Sequence, residues 1–193
     1  MAKLLENYGL LIIGMQNDFV MPGSPVRVAD AKATLPMLKK VLKSFRTKKL
    51  PVFHIVREYR PDGSDIEITR LENFIERGKI VVPGTTGCAI VDELKPIPGE
   101  YRIIKNRFSA FMNTELDFML RRLDVNHLVI CGTQYPSSIR TTAFDGISYG
   151  YAATVLTDGT SAQTPEIAES NIKDMQDIGI ECVPSAILIK NLK

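Results

Sequence analysis

The feature that most constrains this chain is an alternation between short runs that are apolar at every position and longer stretches that are apolar on one helical face. Tyr8-Gly9-Leu10-Leu11-Ile12-Ile13, Pro51-Val52-Phe53-His54-Ile55-Val56, His127-Leu128-Val129-Ile130-Cys131-Gly132 and Ala152-Ala153-Thr154-Val155-Leu156-Thr157 have almost nothing polar to turn toward water. Such runs are strands buried on both sides, as in a parallel sheet covered by helices. Residues 101–105 and 180–183 complete a set of six strands. Between them, residues 33–49 place Leu35, Leu38, Val41, Leu42 and Phe45 on one helical face. Helices are also predicted over 68–77, 114–123 with a Thr cap, 137–149, and 165–178 with Pro at its start. Strands alternating with helices under the right-handed crossover rule give an α/β fold, a three-layer αβα sandwich around a doubly wound, six-stranded, mainly parallel sheet. No internal repeat, low-complexity tract or Gly/Ser-rich linker divides the 193 residues, so 1–193 reads as one domain.

Charge and cysteine usage narrow the function classes. Lys and Arg number 24 against 22 Asp and Glu, a net charge of +2. The clusters Lys39-Lys40 with Lys43, and Lys48-Lys49, recur at the spacing of a solvated helix face and form no concentrated basic surface, so a nucleic-acid partner is not expected. Cys88, Cys131 and Cys182 show no paired spacing and read as reduced thiols of a cytoplasmic protein. Met1-Ala2-Lys3-Leu4-Leu5 begins no leader pattern, and no apolar run approaches the ~18 residues of a membrane span, so no membrane association is expected.

In a doubly wound sheet, function lies beyond the carboxyl ends of the strands. Three of those segments carry reactive side chains. After the first strand, Asp18 stands beside Phe19; a carboxylate there serves as a general base raised by desolvation, or caps a turn before Pro22-Gly23. At the end of the third, Lys105 follows Ile103-Ile104 and precedes Phe108 and Phe111. A buried lysine calls for a carboxylate partner, whereas one at a strand end can snorkel to water. After the fourth, Gly132-Thr133-Gln134-Tyr135-Pro136-Ser137-Ser138 leads into a helix, where unpaired N–H groups and the helix dipole suit an oxyanion or an activated nucleophile, and where Ser and Pro are equally ordinary caps. His54 and His127 have no ligand spacing to any other His or Cys, and no phosphate loop, dinucleotide fingerprint or nucleophile elbow is present, so neither metal nor cofactor is expected.

Taken together, Leu-Ile-Ile-x-Met-Gln-Asn-Asp-Phe at 11–19, Lys105 with Phe108-Ser109-Ala110-Phe111 after it, and Gly-Thr-Gln-Tyr-Pro-Ser-Ser-Ile-Arg-Thr-Thr-Ala-Phe-Asp at 132–145 resemble the isochorismatase-like cysteine hydrolases along essentially the whole chain. Two departures stand out. The position of the family's nucleophilic cysteine is Ser138, and Gly14 replaces an Asp often found before Met-Gln. Gly14 lies outside the triad assigned below and receives no catalytic meaning. Ser138 reads as a deliberate Cys→Ser change made to trap a substrate, because a hydroxyl is a weak nucleophile at its ordinary pKa, or else as natural divergence. Some relatives hold a metal with histidines after the second strand; Arg57-Glu58-Tyr59-Arg60-Pro61-Asp62 offers none. The resemblance therefore points to the metal-free amidase branch, similar to N-carbamoylsarcosine amidases and biuret-type hydrolases.

The resemblance implies cleavage of the C–N bond of a small amide, carbamoyl or ureide substrate. A thiol at 138 would attack, Asp18 would take its proton and pass it to the departing nitrogen, and Lys105 would hold Asp18 and favour the thiolate. Backbone N–H groups of residue 138 and of the Gln134-Tyr135 turn, which the resemblance expects to contain a non-proline cis peptide, would stabilise the oxyanion at ~3 kcal/mol per donor. Phe19, Phe108, Phe111 and Tyr135 are expected to wall the pocket, Gln134 to meet the substrate's amide, and Arg57, Arg60, Arg70 or Arg107 to meet a substrate carboxylate. A homodimer or homotetramer is implied. The alternatives are vinyl-ether hydrolysis of the isochorismatase type, which needs no thiol, and a catalytically dead small-molecule-binding homologue.

Overall fold

In the computed structural model, which describes residues 6–192, strands β1 (Tyr8–Ile13), β2 (Val52–Arg57), β3 (Tyr101–Lys105), β4 (His127–Thr133), β5 (Ala152–Ser161) and β6 (Glu181–Val183) form one sheet in the order β3-β2-β1-β4-β5-β6. Every pairing is parallel, so the expected mainly parallel sheet is wholly so. Met1 to Leu5, on which the absence of a leader was read, lie outside the described residues. The chain winds outward from β1 through β2 to β3, then returns to β4 and winds the other way. The switch point therefore falls between β1 and β4, which pair from Tyr8 opposite His127 to Ile13 opposite Gly132.

Alternation along these central strands divides the core into two layers. Leu11, Ile13, Phe53, Ile55, Leu128 and Ile130 face helices α4 (Leu116–Arg122), α5 (Arg140–Ser148) and α6 (Pro165–Asp177). Leu10, Ile12, Val52, Val129 and Cys131 face α2 (Leu35–Lys48) and α7 (Ser185–Asn191). The apolar stripe of α2 is the one the spacing predicts: Leu35, Leu38, Val41, Leu42 and Phe45 are all buried, at ~1.5–3 kcal/mol for each large side chain removed from water. Two further helices lie on the site side of the sheet, the one-turn α1 (Asn17–Val20) and α3 (Ile68–Glu76).

Three departures from the predicted elements bear on the site. The helix expected over 137–149 opens as a π-helical turn at Tyr135–Ile139, with the N–H of Ile139 donating to the carbonyl of Gln134 five residues back. Only then does α5 begin. Strand β5 does not stop at residue 157: after Val155 opposite Ile130 its register jumps, and Thr160 and Ser161 return to pair with Gly132 and Thr133. Its bulge puts Asp158 where its carboxylate accepts hydrogen bonds from both the N–H and the hydroxyl of Ser185, at 2.8 Å each. That explains α7, which no helical pattern had announced. At the end of β4, Gly132 has φ +111°, and a Cβ there would strike the backbone of Ile13. Only glycine lets β4 leave the sheet so close to β1.

Candidate active site

Because all six strands are parallel, the ends of β1 to β4 deliver their next residues to one edge. Gly14, Arg57, Lys105, Thr133, Gln134 and Ser138 line a single pocket there, joined by Phe19, Val28, Ser137 and, from α3, Arg70. The Thr133–Gln134 peptide is cis. Accessible volume is about 30 Å³, where one water needs ~10–15 Å³ by the same measure, so only a compact group fits.

Lys105 and Ser138 are in contact. Lys105, 2% exposed, places Nζ 3.0 Å from the Ser138 hydroxyl oxygen, and its N–H groups donate to the carbonyls of Arg107 at 2.9 Å and Phe108 at 2.8 Å. The carboxylate partner expected for this lysine is not among these three. Burial, and then the positive charges of Arg57 and Arg70, push its pKa well below 10.5, with Glu67 opposing. A neutral amine has two N–H donors and one lone pair. As an ammonium Lys105 donates to the Ser138 oxygen as well as to the two carbonyls; once it sheds a proton, the carbonyls take the remaining donors and the lone pair faces the serine O–H.

Asp18 is not brought to this pair. It sits in the first turn of α1, five residues past the strand end, where its Oδ2 accepts from the N–H of Val81 at 2.6 Å and its own N–H donates to the carbonyl of Gly87 at 3.0 Å. Its carboxylate packs so tightly on Gly87 that a Cβ there would overlap it. Among the described residues no hydrogen bond or ion pair joins Asp18 to Lys105 or Ser138. The position just past β1 that does line the pocket is Gly14, with φ +66°, where an added Cβ would strike the carbonyl oxygen of Thr133. That position is the family's other departure, and the signal that marks it is its place immediately after the strand rather than four residues on.

The aromatic residues divide likewise. Phe19 lines the pocket. Phe108 lies behind it, with the guanidinium carbons of Arg57 at 5.3 Å and Arg70 at 4.8 Å from its ring centre. Phe111 stacks instead on Tyr149 and Tyr151, and Tyr135 is buried in the same core layer, so both support the site from behind. Arg107 is tied to the carbonyls of Asp65 and Asn106, and Arg60 is exposed. Of the four candidate arginines, Arg57 and Arg70 reach the pocket.

Arg57 is itself secured. It donates to Glu67 at 2.9 Å, to the Tyr59 hydroxyl and to the carbonyl of Arg107 at 3.0 Å. Burial would raise the pKa of Glu67, but the Tyr59 hydrogen bond and the Arg57 charge outweigh it and hold the carboxyl below its usual value. Sequence reasoning passed over Gln16, which is fully buried. Its side-chain amide donates to the carbonyls of Arg57 and Cys88 at 2.8 Å each and its oxygen accepts from the N–H of Arg57 at 2.7 Å, clamping the exits of β1 and β2 together.

His54 is engaged by Glu100 at 2.8 Å and His127 by Thr154 at 2.8 Å, and neither lines the pocket. Among the described residues no three His, Cys, Asp or Glu side chains gather as a metal set. After β2, where some relatives carry histidine ligands, the Arg57 guanidinium and the Arg102-paired Glu58 stand instead, so the residues present do not fit that metal. No described helix is long and apolar enough to cross a membrane.

The all-parallel doubly wound sheet, with a buried lysine against a hydroxyl at its switch point, makes this an open-sheet α/β protein that takes its ligand at the strands' carboxyl ends. The family model for the isochorismatase domain matches residues 8–186, and the chain belongs to that hydrolase family. It is 40% identical over 184 residues to a probable inactive nicotinamidase of Arabidopsis thaliana, covering 94% of each chain. It is 29% identical over 182 residues to a ureidoacrylate amidohydrolase of Pantoea ananatis, covering 85% of this chain and 73% of that one. Among solved structures, an isochorismatase family protein from Desulfovibrio vulgaris superposes with a TM-score of 0.92 at 48% identity, covering 95% of this chain and 97% of that one.

Proposed function

We propose that this protein hydrolyses a small amide, carbamoyl or ureide substrate with Ser138 as the acyl acceptor and Lys105 as its base, in place of the thiol and carboxylate that the family pattern implies. The observation carrying this reading is the 3.0 Å approach of Lys105 Nζ to the Ser138 hydroxyl inside a buried pocket. Both departures from the family pattern, Gly14 and Ser138, fall in that one pocket. Paired changes support natural divergence over a single deliberate trap.

The steps follow from the geometry. As Ser138 Oγ attacks the substrate carbonyl carbon, its proton passes to the free amine of Lys105 and the carbonyl π electrons move onto oxygen. The resulting oxyanion is met by N–H groups of the π-helical turn, Ser138's included, which precede the turn's first internal bond from Ile139 to Gln134. Collapse breaks the C–N bond, and the departing nitrogen takes the proton from Lys105. A water that gives its proton to Lys105 then attacks the acyl-serine; the C–Oγ bond breaks, Ser138 Oγ takes that proton from Lys105, and the acid leaves. Pairing of a serine with a lysine base is a known variant of nucleophilic catalysis, and a positioned base is worth ~10²–10⁴ in rate.

The dead-homologue reading is favoured by one finding, the name of the 40%-identical Arabidopsis relative. Ammonia release from a panel of small amides, carbamoyl compounds and ureides separates the two. Turnover by the wild type that falls at least ~100-fold in Ser138→Ala is expected. No ammonia from any member, or undiminished release by Ser138→Ala, would overturn the proposal, and pyruvate from a vinyl ether would replace it with ether cleavage.

A further inference from the structure

The pocket carries a surplus of positive charge. Arg57, Arg70 and Lys105 line it, and no carboxylate does. Glu67 compensates Arg57, but among the described residues Arg70 forms no salt bridge, and its guanidinium is held over the Phe108 ring at 4.8 Å. A guanidinium keeps its charge at any ordinary pH. Lys105 has no acidic partner either: around Nζ stand the carbonyls of Arg107 and Phe108 and the Ser138 hydroxyl. A buried cation ordinarily has an anion beside it. The wall just past β1, where a side chain could have supplied one, is Gly14. The surplus eases when Lys105 gives up a proton, and the free amine that results is a nucleophile facing an accessible space of about 30 Å³.

We propose that Lys105 is a carbon dioxide acceptor, carrying on Nζ a reversible carbamate that gives the pocket the carboxylate it lacks. The lone pair of the amine attacks the carbon of CO2, one C=O π pair moves onto oxygen, and one N–H proton leaves to solvent. Amine and CO2 thus become N-carboxylysine and a proton, and nothing is oxidised or reduced. Size favours this reactant. The space holds about two or three waters at ~10–15 Å³ each, which is room for one added carboxylate. CO2 is also uncharged, so it enters a nearly dry pocket without the desolvation that an incoming anion would suffer. The negative charge then forms where Arg57 and Arg70 already act on the amine, and a carboxylate with a guanidinium makes the stronger, charge-assisted kind of hydrogen bond. The one N–H left on the nitrogen serves one of the two carbonyls, and the new guanidinium pairing offsets the donor lost to the other. This goes beyond the hydrolysis proposed above and does not rest on it, since it concerns what Lys105 carries rather than what Ser138 attacks.

NMR of the full-length protein, made with lysine labelled with 15N at Nζ and placed in 13C-labelled bicarbonate at about pH 8, tests this. Exposed lysines stay protonated there, and the unlabelled terminal amine gives no coupling, so a 13C carbamate signal split by 15N marks a lysine that holds CO2. The signal is expected in the wild type, to vanish when CO2 is purged, to be absent from Lys105→Met and to persist in Ser138→Ala. Arg70→Met should weaken the affinity for CO2 at least about tenfold, the worth of one charge-assisted pair. Ethylation of the unsubstituted protein with triethyloxonium, followed by mass mapping, should place an ethyl carbamate on the peptide bearing Lys105 without need of any variant. No split signal in the wild type, the same signal in Lys105→Met, undiminished affinity in Arg70→Met, or ethyl carbamate confined to other lysines would overturn the inference. A split signal without ammonia release from any amide would leave it standing and defeat the proposed hydrolysis; ammonia release without a split signal would do the reverse.

Discussion

Replacing Lys105 by Met separates catalysis from stability. The substitution keeps the length of the side chain but removes the amine that faces Ser138. Three hydrogen bonds are lost, to the carbonyls of Arg107 and Phe108 and to the Ser138 hydroxyl, and a buried acceptor left without a partner costs ~1–3 kcal/mol. Set against this, the wild type holds an amine in a nearly water-free site beside two guanidiniums, and an apolar thioether escapes that cost. The net change in stability near neutral pH should be within ~2 kcal/mol, while the rate should fall by ~10²–10⁴. The pH dependence supplies a second signature. Since the folded-state pKa of Lys105 lies well below 10.5, between the two values the unfolded chain binds a proton that the folded chain does not. Stability gained from this residue therefore rises with pH through that window, by up to about 1.4 kcal/mol per pH unit, and is lost as pH falls through the lowered pKa. Urea denaturation of the two proteins from pH 6 to 10, taken as a difference to cancel other titrations, should show this slope alongside a wild-type activity limb that rises with pH. A Met variant retaining activity within about threefold of wild type would refute Lys105 as the base, since a base contributes ~10² or more. A flat stability difference would refute its burial as an amine of lowered pKa.

Two other substitutions check the site assignment. Asp18→Asn should leave turnover within a few-fold of wild type and cost ~1 kcal/mol through the weakened bond from Val81; a hundredfold loss of activity would return Asp18 to the chemistry. Ser138→Cys should give a thiol of pKa below the ordinary ~8.5, because its neighbour Lys105 can take the proton and the pair then attracts. Iodoacetamide alkylation against pH measures it, and an ordinary or higher value would contradict proton transfer between the two positions.

Strands β1, β2 and β4 were legible because a residue run with no polar face has one place to go, and the α2 stripe was legible because its period is helical. Lys105 was found for a related reason: an ammonium group at the end of an apolar run is conspicuous. Direction was harder to read. Asp18 drew attention as a carboxylate inside a motif, yet it stands five residues past the strand end in the first turn of α1, whereas the position that reaches the pocket, Gly14, has no side chain to notice. Phe108 and Phe111 look alike in sequence, but the first lies against Arg57 and Arg70 and the second among Tyr149 and Tyr151. The return of β5 to β4 rests on a bulge that no polarity pattern encodes, and α7 depends on a capping carboxylate 27 residues upstream.

The helix that carries Arg70 is fastened unlike the rest of the molecule. α3 buries a single side chain completely, Phe74, and its Ile68 and Ile75 face solvent at 88% and 62% exposure. Its start is pinned to β2 by the grip of Glu67 on Arg57 and Tyr59. Beyond that ionic tie it packs on an apolar cluster of its own, Phe74 and Leu71 against Tyr59, Ile66, Val81 and Val82. The cleft wall that bears Arg70 therefore rests on a small core separate from the two that flank the sheet, with the Glu67–Arg57 pair as its charged link to β2.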